Sequence, residues 1–398
     1  MKPITQAQLK NKRVLVRVDY NVPQDENLKV TSTTRIKRTL ETVNKITNDG
    51  GIAILMSHLG RPKGEANDTF SLKHILSAVC ETLGKPVVFL GDVLDVDIQE
   101  KIGKLNPGDV GLLENLRFHK EEEKGEVEFA KAIAKLGDVY VNDAFGTAHR
   151  EHASTATVAR LFPGNAYAGY LLYEEVQSLK KVLEEKKSPF TAIIGGSKVS
   201  TKINILKNLL NKVDNLIIGG GMRYTMLYTM GFSYGNSLFE EEMLPVAREI
   251  LEQAKKKGIN VYLSVDSLCA DKFAEDANTL VTKDQNIPAG WMGMDIGEKS
   301  IELFRKVILE SKTILWNGPV GVFEMDKFAA GTKAVAEAIA ESTKNGAYSL
   351  IGGGDSIAAL GKFGLSKEVS YISTGGGAML EYLEGIELPG IKALEEND

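Results

Sequence analysis

Short apolar runs alternate with segments of helical periodicity along nearly the whole chain. Residues 13–18 form a strand-like run that ends in Asp19-Tyr20-Asn21, and residues 52–56 form another that ends in Ser57-His58-Leu59-Gly60-Arg61-Pro62. Further runs lie at 87–90, 110–113 and 139–141, and apolar spacing predicts helices over 72–83 and near 95–104 and 125–136. The second half repeats the alternation. Strands are expected near 191–194, 214–218, 260–265, 312–316, 348–351 and 369–372, with helices near 199–211, 240–257, 298–310 and 327–343. Strands alternating with helices predict parallel sheets covered on both faces, hence an α/β fold of two doubly wound, Rossmann-like domains. Residues 170–186 read as one amphipathic helix joining the domains. Leu171, Leu172, Val176, Leu179, Val182 and Leu183 form its apolar stripe. Glu174, Glu175, Lys180, Lys181 and Glu184 form its wet face, and Ser188-Pro189 ends it.

In sheets of this kind, ligands sit beyond the carboxyl ends of the strands. The polar clusters of this chain follow the apolar runs. The most informative is Gly352-Gly353-Gly354-Asp355-Ser356, after Ser349-Leu350-Ile351 and before an apolar helical turn. Glycine allows positive φ and close approach of an anion to backbone N–H groups, and a helix N-terminus adds unsatisfied donors. Asp355 could hold Mg²⁺, which takes one or two carboxylates plus phosphate oxygens. The same string also serves as a helix N-cap after a tight turn.

The two halves differ in composition. All five histidines precede residue 153, eight of the eleven arginines precede residue 161, and all three Gly-Gly-Gly triplets follow residue 218. Arginine offers a rigid fork for phosphate and carboxylate, whereas backbone nests suit a polyphosphate and its metal. A small anionic acceptor in the first half and a nucleotide in the second follow from this. Arg35, Arg61, Arg117 and Arg150 stand beside turn signals and are candidates for one shared anion site, although any single arginine could be a solvated surface group. Lys198 and Lys202 are spaced to share a helix face, where two cations would need an anion between them, or would be surface lysines.

A length of 398 residues implies two domains. No stretch of 18 uncharged apolar residues occurs and the start lacks a signal-peptide core, so a cytoplasmic protein without a membrane span is expected. Cys80 and Cys269 are far apart and read as reduced, buried small hydrophobes. A net charge of −5 argues against nucleic acid as a partner. There is no P-loop, no G-x-G-x-x-G and no H-R-D or D-F-G set, so a nucleotide site here follows another scheme. The acidic tail over 385–398 is expected to fray at its end.

Eight strings, in order and in both halves, resemble the phosphoglycerate kinase family. They are Arg17-Val18-Asp19-Tyr20-Asn21-Val22-Pro23, Ser57-His58-Leu59-Gly60-Arg61-Pro62, Leu113-Glu114-Asn115-Leu116-Arg117-Phe118 and the stretch 141–150 ending in Ala148-His149-Arg150. The others are Gly195-Gly196-Ser197-Lys198-Val199-Ser200-Thr201-Lys202, the stretch 316–324 starting Trp316-Asn317-Gly318-Pro319 and ending in Glu324, the Gly352–Ser356 stretch, and Ser373-Thr374-Gly375-Gly376-Gly377. The resemblance implies phosphoryl transfer between ATP and the carboxylate of 3-phospho-D-glycerate, by a monomer using Mg²⁺. By similarity, the acceptor site is Asp19, Asn21, Arg35, His58, Leu59, Gly60, Arg61, Arg117 and Arg150. By similarity, the nucleotide site is Gly196, Lys202, Gly220, Gly293, Asn317, Pro319, Glu324, Gly353, Gly354, Asp355 and Ser356, with Asp355 on the metal and Glu324 on the ribose. Arg35, Lys198 and Gly354 would act on the moving phosphoryl group. The resemblance also implies an acceptor domain over 1–168 joined in space by 379–398, an interdomain segment over 169–187 and a nucleotide domain over 188–378. Closure would hinge at the ends of the 170–186 helix and at Ser373-Thr374.

One departure stands out. Gly219-Gly220-Gly221-Met222 is followed by Arg223-Tyr224, where the family pattern leads one to expect a small residue and then phenylalanine. Arg223 either alters base contacts or points to solvent, and solvent is the expectation here. Ser356 stands where threonine is common, with the hydroxyl kept. The alternative readings are an inactive or differently specific nucleotide-binding relative, which loss of Asp355, Lys198 or Arg35 would have favoured, and a nonenzymatic anion-binding protein.

Overall fold

A computed structural model describes residues 1–397. The chain divides into two compact units, Met1–Val176 with the segment from Glu387 onward, and Gln177–Ile386. Unit 1 is built on a six-stranded parallel sheet of β1 (Arg13–Arg17), β2 (Ile52–Met56), β3 (Val87–Gly91), β4 (Val110–Leu113), β5 (Val139–Asn142) and β6 (Ala166–Ala168), in the order β3-β4-β2-β1-β5-β6. The inner strands are covered on both faces. Val14, Leu15 and Val16 are fully buried, as are Ala53, Ile54, Leu55 and Met56, which is why these runs are apolar throughout rather than alternating.

Unit 2 contains β7 (Phe190–Ile194), β8 (Asn215–Ile218), β9 (Asn260–Tyr262), β10 (Ser267–Ala270), β11 (Thr279–Val281), β12 (Met292–Ile296), β13 (Thr313–Asn317), β14 (Tyr348–Gly352) and β15 (Tyr371–Ser373). Six of them form a parallel sheet in the order β15-β14-β13-β7-β8-β9. The other three form an antiparallel sheet, β11-β10-β12, that the apolar pattern did not announce. Its strands are short, and all three residues of β11 are exposed, so burial leaves no periodic mark there.

The order of both sheets reverses beside their first strands. β1 lies between β2 and β5, and β7 lies between β8 and β13. Successive strands leave in opposite directions there, and their carboxyl ends open a crevice for a ligand. In unit 2 the loops at this point meet backbone to backbone. A Cβ on Gly195 would lie 2.0 Å from the Pro319 carbonyl oxygen, and one on Gly318 would lie 2.2 Å from that of Gly195.

Several expectations are corrected. The connecting helix spans Tyr170–Leu183, ending before Ser188-Pro189, and the division between units falls within it. Glu175 is not on a wet face: it is fully buried and accepts from Arg38 at 3.1 Å. The expected helix over 199–211 starts only at Ile203, because Glu240 takes the Ser200 N–H and hydroxyl and holds the preceding segment as turns. Lys198 and Lys202 therefore lie ahead of the helix and share no helical face. The tail does not fray within the described residues. Pro389–Glu395 is a helix that buries Ile391 and Leu394, Gly390 donates to the Ala148 carbonyl at 2.8 Å, and Asn397 donates to that of Ala159 at 3.0 Å. The segment that belongs to unit 1 starts at Glu387, whereas Gly377–Leu383 lies in unit 2. Both cysteines are free; Cys269 is buried and Cys80 half-buried.

Candidate active site

In unit 1 the loops after β1, β2, β4 and β5 carry the predicted acceptor residues. Asp19 follows β1, and its carboxylate accepts from Arg35 Nη1 at 2.5 Å. It also stands 4.0 Å from His58 Nε2. Asn21 accepts through Oδ1 from the Gly60 N–H at 2.9 Å, which joins the first two loops. Gly60 has φ +61, and a Cβ there would meet the Phe70 ring. Its carbonyl accepts from Arg117 Nη1 at 3.0 Å, and that of the buried Leu59 accepts from Asn115 at 2.7 Å. Arg61 is exposed on the same loop, and Arg150 is half-buried after β5.

The electrostatics of this region are those of a concentrated cation site. His58 is 4% exposed, and burial together with the charges of Arg17, Arg117, Arg150 and Arg35 holds its imidazole well below the ordinary value. His152 is pushed down to about 3 by burial and by Arg17, Arg117 and Arg150. Arg117 is itself 4% exposed and lowered to about 10, chiefly by burial. Its Nη2 is buried without a hydrogen-bond partner. Gathered cations with an unspent donor form a site that an anion completes.

The sequence reading overlooked what sustains this cluster. Arg17 is fully buried at the end of β1. Its Nη2 lies 3.2 Å from His58 Nδ1, and its Nε donates to Ser154 Oγ at 2.7 Å. Ser154 in turn donates to the fully buried Glu122 through its N–H at 2.9 Å and through its hydroxyl. Because a guanidinium only donates, Nδ1 accepts and the His58 proton sits on Nε2, the atom nearer Asp19. A charged residue closing an apolar run was the available signal for Arg17. Nothing local marks Glu122, which lies in the run Glu121-Glu122-Glu123.

In unit 2 a cavity of about 700 Å³ opens at the carboxyl ends of the strands. Gly196, Gly220, Gly293, Pro319, Glu324 and Asp355, six of the positions expected for a nucleotide, line it. Leu238, Phe273, Met292, Met294 and Val322 give it apolar lining, and Ser197 and Asp355 are among its polar lining residues. An apolar slot with a few polar groups suits a flat base and a charged tail. Gly220 has φ +68, and a Cβ there would lie 2.4 Å from the Gly196 carbonyl oxygen, so the two turns touch only because Gly220 bears no side chain.

The remaining predicted residues act around this cavity. Lys202 Nζ donates to Asn317 Oδ1 at 2.5 Å, and Asn317 Nδ2 donates to the Gly352 carbonyl at 3.0 Å. Burial lowers the Lys202 ammonium from its ordinary value, against the raising pull of Asp355 and Glu384. Ser356 Oγ accepts from the Gly318 N–H at 2.6 Å, so its hydroxyl braces the neighbouring loop. Gly353 has φ +89 and opens the helix Gly354–Lys362, and a Cβ on Gly354 would meet nothing within 4 Å. Asp355 is exposed at the first turn of that helix, and Lys198 is exposed on the loop after β7. No group of three or more His, Cys, Asp or Glu that could hold a metal occurs among the described residues. A lone carboxylate beside a phosphate slot matches the sparse protein ligation typical of Mg²⁺.

Arg223 is the clear correction here. Far from pointing to solvent, it is 1% exposed and lines the cavity, and each of its terminal nitrogens donates to two oxygens.

Comparison with known proteins accords with this geometry. The family model for phosphoglycerate kinase matches residues 4–386. A curated phosphoglycerate kinase from Porphyromonas gingivalis is 53% identical over 416 residues, covering 98% of this chain and 99% of its own. The Arabidopsis thaliana protein named phosphoglycerate kinase 3, cytosolic, is 50% identical over 393 residues, covering 99% and 98%. Among solved structures, phosphoglycerate kinase from Coxiella burnetii aligns with a TM-score of 0.93 at 43% identity, covering 99% of this chain and 98% of that one. That from Pyrococcus horikoshii aligns with a TM-score of 0.81 at 31% identity, covering 100% and 99%. No helix among the described residues is long and apolar enough to cross a membrane.

Proposed function

This chain belongs to the phosphoglycerate kinase family, whose reaction moves a phosphoryl group between ATP and the carboxylate of 3-phosphoglycerate, and from that premise we propose how its two sites divide the work. Unit 1 holds the acceptor. Arg35, Arg61, Arg117 and Arg150 face its phosphate and carboxylate charges, with the Arg117 guanidinium supplying a buried donor that awaits an anion. That unspent donor, beside a His58 that burial and four surrounding arginines hold well below its ordinary value, is the observation that carries the assignment. His58 donates through Nε2 rather than acting as a base. An acceptor carboxylate is already ionised at neutral pH and needs none. Asp19, Asn21, Leu59 and Gly60 set the shape of the loops around it.

Unit 2 holds the nucleotide, with the base against the apolar lining of the cavity and the phosphates toward Gly196, Gly353, Gly354 and Ser356. Glu324 lies on the cavity wall, where it accepts from ribose hydroxyls. Lys202 and Asn317 hold the phosphate end, and Asp355 is the carboxylate for Mg²⁺. Magnesium bound there would offset charge on the phosphate oxygens. Catalysis then rests on alignment and on cancelling charge by Lys198, Arg35 and the N–H groups at Gly354. Reacting oxygen and phosphorus must come within about 3–3.5 Å for the transfer. We also propose a monomer that works in the cytoplasm, as the cytosolic name of the Arabidopsis relative suggests.

The test is ATP consumption with Mg²⁺, with and without 3-phosphoglycerate, in the wild type and in Asp355→Ala. Turnover that depends on the acceptor and falls in the variant is expected. Turnover indifferent to the acceptor would overturn the assignment of unit 1, and full activity in Asp355→Ala would overturn that of the metal ligand.

A further inference from the structure

Arg223 is the second residue of the helix Met222–Thr229, directly after the glycine turn that follows β8. Its Nη1 donates to the carbonyls of Gly220 at 3.1 Å and Val320 at 3.0 Å. Its Nη2 donates to the Asp295 carbonyl at 2.9 Å and to the Tyr224 hydroxyl. These acceptors belong to three separate walls of the cavity: the turn after β8, the loop after β13 and strand β12. The fourth acceptor extends the grip. A Cβ on Gly293 would lie 1.5 Å from Tyr224 Oη, so the Gly293 backbone rests directly on the hydroxyl that Arg223 holds. Gly293 is fixed from its other side by Ser237 Oγ, which accepts its N–H at 2.9 Å.

The arrangement is unusual for a buried guanidinium. No carboxylate lies in ion-pair contact with it among the described residues, and its Nε is buried without a partner. A charge placed this way is costly, and four neutral oxygens repay part of the lost hydration. What the site gains is geometry. Two loops and strand β12, each part of the cavity lining, are tied to one planar group, so the slot keeps its width before a ligand arrives. A preformed slot spares the ligand the entropy of ordering its walls.

We propose that Arg223, assisted by Tyr224, is a positioning residue that sets the width of the base slot by fastening Gly220, Val320 and Asp295 together. This rests on the reading of the cavity as the nucleotide site. It concerns the lining from β12, Met292, Gly293 and Met294, against which that reading places the base, rather than Ser197 and Asp355, where it places the phosphates. A substitution should therefore weaken ligands that carry a base and leave baseless polyphosphates alone.

Calorimetric titration with ADP, with tripolyphosphate and with 3-phosphoglycerate tests this in the wild type, Arg223→Ala and Arg223→Lys. The ADP Kd is expected to rise roughly tenfold in Arg223→Ala, the scale of a lost set of charged hydrogen bonds. Arg223→Lys should lose several-fold, because a single ammonium cannot span four acceptors on separate walls. The affinities for tripolyphosphate and 3-phosphoglycerate should stay within about twofold. Unchanged ADP affinity in both variants would overturn the role. Equal losses for ADP and tripolyphosphate would overturn it too, in favour of simple charge attraction. If Arg223→Ala does not fold, Arg223→Lys decides by the same comparison. A wild type that fails to bind ADP would overturn the reading of the cavity itself.

Discussion

The two proposed sites of this chain would achieve anion binding by opposite means. In unit 1 the work falls to side chains. Burial, together with the charges of Arg117, Arg150 and the buried Arg17, holds His58 and His152 well below the ordinary imidazole value, and Arg35 adds to the effect on His58. In unit 2 it falls largely to backbone. Gly195, Gly220 and Gly318 let loops approach so closely that any Cβ would collide with a neighbouring main chain. A small acceptor with charge at both ends needs point charges at fixed places. A nucleotide needs a slot for its base and exposed N–H groups for its phosphates. The difference implies that unit 1 should be fragile to loss of charge and to acid, and unit 2 to added volume.

The largest effect is expected from removing the charge that faces the reacting group. Arg35→Ala should lower kcat by about 10²–10³ while the 3-phosphoglycerate KM changes far less, since a donor felt mainly in the transition state is lost. A rise in KM with kcat intact would instead make Arg35 a ground-state binding group.

Volume is the matching probe of unit 2. Gly220→Ala places a methyl 2.4 Å from the Gly196 carbonyl oxygen at a φ of +68. It should weaken ADP binding by more than about tenfold and cost unit 2 about 2–4 kcal/mol through backbone strain and overpacking. Calorimetry and urea unfolding read both, and wild-type values would show that the glycine turns need no such contact.

Acid should separate the units next. His58 and His152 are held below the ordinary imidazole value in the folded protein, so the unfolded chain binds more protons below about pH 6.5. Stability they supply at neutral pH is lost as pH falls, by up to about 2 kcal/mol per histidine at pH 5. Unit 2 contains no histidine. Its buried Asp295 is pushed up to about 7 by burial, as is Asp143 in unit 1, so the stability linked to each is complete below about pH 4 and lost as pH rises through 7, and the contrast between the units rests on the histidines. Unfolding followed between pH 7 and pH 5 should show unit 1 weakening relative to unit 2, and His152→Gln should reduce that loss. Parallel behaviour of the two units would contradict the assignment.

The smallest effect lies away from both sites. His119 Nε2 meets the Asp92 carboxylate at 2.8 Å, which raises the imidazole. Its stabilisation is present below about pH 6.5 and fades as pH rises through the elevated value. His119→Asn should cost about 1 kcal/mol or less at pH 6 and almost nothing at pH 9 in thermal unfolding.

Legibility in the sequence follows the same division. Strands buried on both faces left unbroken apolar runs, so the six-stranded sheet of unit 2 and five of the six strands of unit 1 could be read, and the loops after them held the chemistry; the three-residue β6, Ala-Tyr-Ala, is too short to leave such a run. The antiparallel strands β10–β12 were invisible because β11 is short and fully exposed, while β10 and β12, Ser-Leu-Cys-Ala and Met-Gly-Met-Asp-Ile, break their apolar residues with polar ones and glycine. Charged residues such as Arg35 and Arg117 announce themselves, whereas their supports, Glu122 and Ser154, make sense only once the fold brings distant segments together. Arg223 shows the limit most sharply. An arginine after three glycines reads as a surface group, and only the convergence of the Gly220, Val320 and Asp295 carbonyls makes burial tolerable.

Paired titrations of Arg117→Met and Lys202→Met test the division of labour most directly. With 3-phosphoglycerate and ADP as separate ligands, Arg117→Met should lose at least about tenfold in affinity for the first and little for the second, and Lys202→Met the reverse. If either variant weakened both ligands equally, the two sites would not be the separate devices described above.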